Sequence, residues 1–215
     1  MDVARPTIFL LSPASCSGKR ARMVMSERAK FDLAVRLRTP HGAPLGEVFT
    51  FLSGLYFRGK LAYARAFARV PEAASAVTGA GVFVITASMG LRAPEMLVTR
   101  DTIRAFAGVD VDAANPEYRK PLERSARALA ADLAPETCVV LLGSIASGKY
   151  ADVLQGIFGN RLMFPQEFIG RGDMSRGGLM LRCVAAGQEL AYIPIAGAVR
   201  RGVRPPKLDP ATRVK

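Results

Sequence analysis

"CVVLLGSIASGKY", Cys138 to Tyr150, is the stretch on which the fold turns. Its first half is an unbroken run of β-branched and aliphatic residues, the pattern of a strand buried on both faces. Its second half is a turn in which Gly143, Gly148 and Lys149 keep the G-x-x-x-x-G-K spacing of a phosphate-binding loop. The helix-like "GKYADVLQGIF" follows, so strand, glycine-rich turn and helix come in the order of a parallel α/β unit. The residue after the lysine is Tyr150, where such a loop needs Ser or Thr to reach magnesium. A phenol cannot put its oxygen there from the same backbone position. Downstream, Asp152, Glu167, Asp173, Glu189 and Asp209 are the only acidic residues, and none ends an evident buried strand. ATP hydrolysis is therefore not expected. A turn of this kind still exposes backbone N–H groups that hold an anion.

Working outward, "TIFLLS" (7–12) and "GVFVITA" (81–87) read as companion buried strands, with "NRLMF" (160–164) and "LAYIPI" (190–195) as shorter or edge strands. Between them lie helical patterns. From Arg58 to Arg69, Leu61, Ala64, Phe67 and Ala68 share one face, and Arg58, Arg65 and Arg69 the other. From Pro121 to Leu133, Leu122, Ala126, Leu129 and Leu133 form a second stripe. Pro116 and Pro121 are placed at helix starts and Pro135 after a helix end. "HGAPLG" (41–46) reads as a loop. The pattern predicts one α/β domain over 1–199, with a mostly parallel or mixed central sheet flanked by helices. A basic, proline-containing tail over 200–215 follows, read as flexible.

Composition narrows the partners. The 215 residues are half hydrophobic, which suits a packed core, and 30 Lys and Arg against 18 Asp and Glu give a net charge of +12. That excess favours nucleic acid or a phosphate-bearing small ligand. No apolar run is long enough for a signal-peptide core or a membrane span. Cys16, Cys138 and Cys183 are odd in number and widely spaced, and His41 is the single histidine, so neither a zinc cage nor a disulfide framework is expected. No metal or other cofactor is expected, and a reducing cytoplasm fits.

Three loops carry the candidate residues. "SPASCSGKRAR" (12–22) puts Cys16 close to Lys19, Arg20 and Arg22, surroundings that lower a thiol pKa; an inert structural cysteine is the alternative. Its basic residues suit phosphate oxygens, with Ser15 and Ser17 as further donors. In "GSIASGKY" (143–150), Ser144 and Ser147 are positioned to hydrogen-bond an anion that Lys149 neutralises, although Ser147 also suits an N-cap. "FIGRGDMSRGGLMLRC" (168–183) places Arg171, Arg176 and Arg182 around a glycine-rich helix start that Asp173 or Ser175 would cap. Gly177 and Gly178 would permit close backbone approach, to a ligand or to another helix.

These blocks resemble, in order, the motifs of the YaaA-like peroxide stress resistance family and of related uncharacterised bacterial domains. "LLSPA" (10–14), "LYFRGK" (55–60), "ITASMGLRAP" (85–94), "IASGKY" (145–150) and "SRGGLMLRC" (175–183) stand where that family has its own five elements. The resemblance carries over Ser12, Pro13, Ala14, Tyr56, Gly90, Leu91, Pro94, Ala146, Ser147, Tyr150, Gly178, Leu179, Met180 and Arg182. It departs at Ser15, Ala93, Met96 and Lys149, which replace the family's lysine, arginine, acidic residue and glutamate. What it implies is a DNA-binding protein that limits oxidative damage. On that reading Lys19, Arg20, Arg22, Arg58, Arg65, Arg69, Arg171 and Arg182 would meet duplex phosphates. The alternative is an enzyme acting on a nucleotide or nucleobase in a cleft after the strands ending at Ser12, Ala87 and Gly143, with Ser12, Cys16, Ser144, Ser147, Lys149 and Arg176 around the ligand.

Overall fold

The computed structural model describes residues 5–70, 77–206 and 208. In chain order its elements are β1 (Thr7–Leu11), α1 (Lys19–Met25), α2 (Asp32–Leu37), β2 (Ala43–Pro44), α3 (Leu45–Ser53), α4 (Leu55–Phe67), β3 (Val82–Thr86), β4 (Gly90–Arg92), β5 (Leu97–Val98), α5 (Arg100–Ala107), α6 (Pro116–Asp132), β6 (Cys138–Leu142), α7 (Ala151–Phe158), β7 (Leu162–Pro165), α8 (Asp173–Ala186) and β8 (Tyr192–Pro194). A six-stranded sheet runs in the order β4-β3-β1-β6-β7-β8, and β2 pairs β5 antiparallel at one side. This is the expected single α/β domain with a mixed, mostly parallel sheet flanked by helices.

β1 pairs in parallel with both β3 and β6, and β6 with β7, while β4 and β8 close the edges antiparallel. All five residues of β1 and of β6 are buried, which is why both read as continuous apolar runs. From β1 the chain crosses to β3 on one side; from β6 it crosses to β7 on the other. α4 packs with α8 while α7 packs with α6, and the two connections part between the carboxyl ends of β1 and β6. That parting leaves a crevice, the usual ligand position in an open α/β sheet.

α4 lies on β1 and packs against α8, with the Tyr63 ring edge-on to Phe9 at 5.8 Å. The α4–α8 approach is set by glycines. A Cβ on Gly59 would stand 2.6 Å from the carbonyl oxygen of Gly177, and one on Gly177 would stand 2.6 Å from that of Leu55. Helix packing is thus what Gly177 serves, whereas a Cβ on Gly178 would make only ordinary contact with Leu208.

Several local expectations need correction. "HGAPLG" is not a simple loop: Ala43–Pro44 form β2 and Leu45 opens α3. Pro116 is the first residue of α6, behind an Asn115 cap, but Pro121 lies inside that helix. Tyr150 is the N-terminal boundary residue of α7 and Gly172 that of α8, so Ser147, Asp173 and Ser175 are not caps. Asp173 instead sits in the first turn of α8, where a carboxylate complements the helix dipole. The start of the expected tail is laid on the domain. Gly170 abuts the Val203 carbonyl, Arg171 donates to the Pro206 carbonyl at 3.4 Å, and Arg200 pairs with Asp152 at 2.5 Å. The rest of that tail lies outside the described residues.

Candidate functional site

The first turn after β1 and the turn after β6 meet at the crevice. Ser12 directly follows β1 and donates its backbone N–H to the Leu142 carbonyl at 3.1 Å. Gly143 begins the opposing turn with no room for a side chain, since a Cβ there would stand 2.8 Å from Ser12 Cβ and 3.1 Å from Tyr150 Cε2. Tyr150 folds back over its own turn, and its hydroxyl accepts the Ser144 N–H at 3.1 Å. The residue that breaks the nucleotide-loop motif is therefore a wall of the site. The other requirement of that motif fails as well. At Gly148, with φ of +67°, the space a Cβ would take is filled by the Asp152 carboxylate, which is paired with Arg200. The start of α7 thus faces an acidic group of its own chain where a phosphate would bind.

Two adjoining cavities open here and share Pro13, Ala14, Ser15 and Tyr150. The first, about 320 Å³, has an apolar side made by Phe49, Ala87, Phe106 and Val109 and a polar side with Ser15, Ser17, Lys149 and Asp110. The second, about 350 Å³, is lined by Ser12, Tyr56, Ser144, Tyr150 and Asp173 among others. Of the residues expected around a ligand, Ser12, Cys16, Ser144 and Lys149 converge on these cavities. Ser147 is exposed and lines neither. Arg176 is committed elsewhere: its guanidinium donates to the Phe168 carbonyl at 2.9 and 3.2 Å, bonds Asp173 at 3.4 Å and lies over the Phe168 ring.

Cys16 is buried against the loop, and its thiol points to the Ala14 carbonyl at 3.8 Å. Burial pushes its pKa up to about 12, so it is a thiol and not the thiolate that the neighbouring basic residues suggested. Lys19, Arg20 and Arg22 do carry exposed side chains; Arg20 donates to the Phe51 carbonyl and Arg22 to that of Ser17.

The arginine face expected over 58–69 does not form. Arg58 is exposed, but Arg65 pairs with Glu95 at 2.8 Å. Arg69 lies beyond α4 in an extended segment bridged to Thr7, where Glu189 holds it at 2.7 and 3.2 Å. Arg171 is part-buried, bonded to Ser175 and Pro206, and Arg182 is likewise part-buried on α8.

The residue that sequence reasoning missed is Lys60. It is 1% exposed, and its ammonium donates to the Ser12 carbonyl at 2.6 Å and the Ser12 hydroxyl at 2.8 Å. The Tyr56 and Phe57 rings lie 4.4 and 4.8 Å from the nitrogen. No carboxylate among the described residues is within ion-pair distance. Burial lowers the Lys60 pKa to about 7, with exposed Asp173 opposing the shift and Arg176 adding to it. Beside it, the Tyr56 hydroxyl is buried and completes no hydrogen bond, although Arg176 is near enough to favour its ionised form against burial. The signal was present in the sequence: Tyr56, Lys60, Tyr63 and Phe67 fall at i, i+4, i+7 and i+11, which sets a lysine within an aromatic stripe.

Compared with protein-family models, with curated proteins and with solved structures, the chain matches none.

Proposed function

We propose that this chain is an enzyme that takes a nucleobase- or nucleoside-type ligand, bearing at most one phosphate, in the crevice between the carboxyl ends of β1 and β6. The observation that carries this reading is the convergence of the loops after β1 and β6 on adjoining cavities at the point where the chain connections part. The first cavity supports a flat ring system, with Phe49 and Phe106 on its apolar side and Ser15, Ser17 and Lys149 on the other. Its charge is balanced. Lys149 faces in beside Asp110, and Asp112 lines the neighbouring hollow, so a polyphosphate would meet carboxylates as well as a cation. Isothermal titration of nucleosides, nucleoside monophosphates and triphosphates tests this. Monophosphate or nucleoside binding that weakens on Phe106→Ala supports it, and an absence of binding to any of the three overturns it.

Duplex DNA binding is the second reading, supported by the charge of +12 and by exposed Lys19, Arg22 and Arg58, which make no ion pair among the described residues. Phosphate contacts release counterions, so affinity would fall steeply with salt and depend little on sequence. A salt titration of a labelled duplex checks it, and no binding at low salt eliminates it.

A further inference from the structure

We infer that Ser12 is a nucleophile for acyl transfer, with Lys60 as its general base. The inference deepens the reading of this crevice as a ligand site and adds a reaction class, attack on a carboxylic ester. Three observations carry it. Ser12, 5% exposed, lines the second cavity while Lys60 lies beneath it without access to solvent, so the serine is the group a ligand would meet. Tyr150 lines the same cavity, flanks Gly143 together with Ser12, and is fixed there by the Ser144 N–H. Tyr56, in the wall of the same cavity, has a buried hydroxyl with no hydrogen-bond partner among the described residues.

The hydrogen bonds give the site a direction. A charged Lys60 donates to both Ser12 oxygens. Once neutral, the amine keeps the bond to the carbonyl and accepts from the hydroxyl, which is what a base must do. In the reaction the Ser12 oxygen bonds to the ester carbon as its proton passes to Lys60. The carbonyl electron pair moves onto the ester oxygen, giving a tetrahedral intermediate that a donor in the site must stabilise. Collapse breaks the bond to the alcohol oxygen, which leaves with the proton held by Lys60. Water then repeats the sequence on the acyl-serine, releasing the acid and restoring Ser12. A packing role alone does not account for Lys60. An ammonium buried without a carboxylate is disfavoured by several kcal/mol, and methionine fills a similar volume without that penalty.

The test uses the full chain and a fluorophosphonate probe, whose phosphorus takes the serine oxygen and loses fluoride. The expected result is one adduct, mapped to the Ser12 peptide by mass spectrometry. Its rate should rise through neutral pH as Lys60 loses its proton. The Tyr56 ring faces this amine, and burial raises both Tyr56 and Tyr150, so neither phenol ionises near neutral pH; Asp173 and Arg176 are the charged groups nearby. Ser12→Ala should abolish the adduct, and Lys60→Met should slow it on the order of 10²-fold or more. No adduct at Ser12 in the unmodified chain overturns the proposal, as does a rate that is flat with pH. So does an undiminished rate in a Lys60→Met variant that melts cooperatively. If that variant does not fold, mapping and pH profile on the unmodified chain still decide. Nucleoside binding without an adduct sinks only the serine chemistry; loss of both sinks the crevice as a ligand site.

Discussion

The nitrogen of Lys60 on α4 lies 2.8 Å from the hydroxyl of Ser12 at the end of β1, and both side chains are buried. This contact joins the sheet to the α4–α8 layer at the floor of the crevice. Its neighbours decide its chemistry: aromatic faces on one side, a hydroxyl and a carbonyl on the other, and no paired carboxylate among the described residues.

Stability should therefore depend on pH through Lys60. Its folded pKa is about 7 against an ordinary 10.5, so between these values the unfolded chain binds more protons than the folded one. Stability from this group is present above 10.5 and lost as pH falls through 7. The full effect is at most about 5 kcal/mol, from the size of the shift. Lys60→Met should raise the urea midpoint most at about pH 6, and its advantage should shrink toward pH 10. Parallel pH profiles for the two proteins would contradict this.

The close approach of α4 and α8 should not tolerate a methyl group. Alanine at Gly59 or Gly177 gains about 1 kcal/mol of helix propensity. Against that, its Cβ meets backbone at 2.6 Å, which forces the helices apart. A net loss of about 1–3 kcal/mol is expected in denaturant titrations. Because Tyr56 and Lys60 flank this contact, reaction of Ser12 with the probe should also slow. An alanine variant as stable as the unmodified chain would show that the helices can separate freely.

The turn from Gly143 to Tyr150 should not hydrolyse ATP. Tyr150 is turned back to Ser144, and Asp152 fills the space beside Gly148. Phosphate release with magnesium and ATP should stay at background for the unmodified chain and for Lys149→Ala alike. Release that disappears with Lys149→Ala would reverse this.

Arg69 should matter to the fold and not to nucleic acid. It ties Glu189 to the segment paired with Thr7. A double-mutant cycle of Arg69→Ala with Glu189→Ala should give a coupling of about 1 kcal/mol, as expected for a partly exposed pair. Duplex affinity, if present, should fall with Arg58→Ala and change little with Arg69→Ala. An equal loss from both would restore the continuous arginine face.

The strands were legible in sequence because burial on both faces leaves unbroken apolar runs, as in "TIFLLS" and "CVVLLG", and a parallel sheet then needs helices between them. Ser12 and Ser144 were legible for a related reason: a residue just past a buried strand lands at the sheet's carboxyl edge. The pairing of charges was not. Arg65 with Glu95 and Arg69 with Glu189 are contacts across 30 and 120 positions, invisible to any periodicity. Nor was the state of Cys16, because its basic neighbours in sequence are exposed while the thiol is buried. Lys60 shows the division most sharply. Its position in an aromatic stripe is written in the sequence. Its lowered pKa and its grip on Ser12, 48 residues away, exist only because Gly59 and Gly177 let two helices close over it.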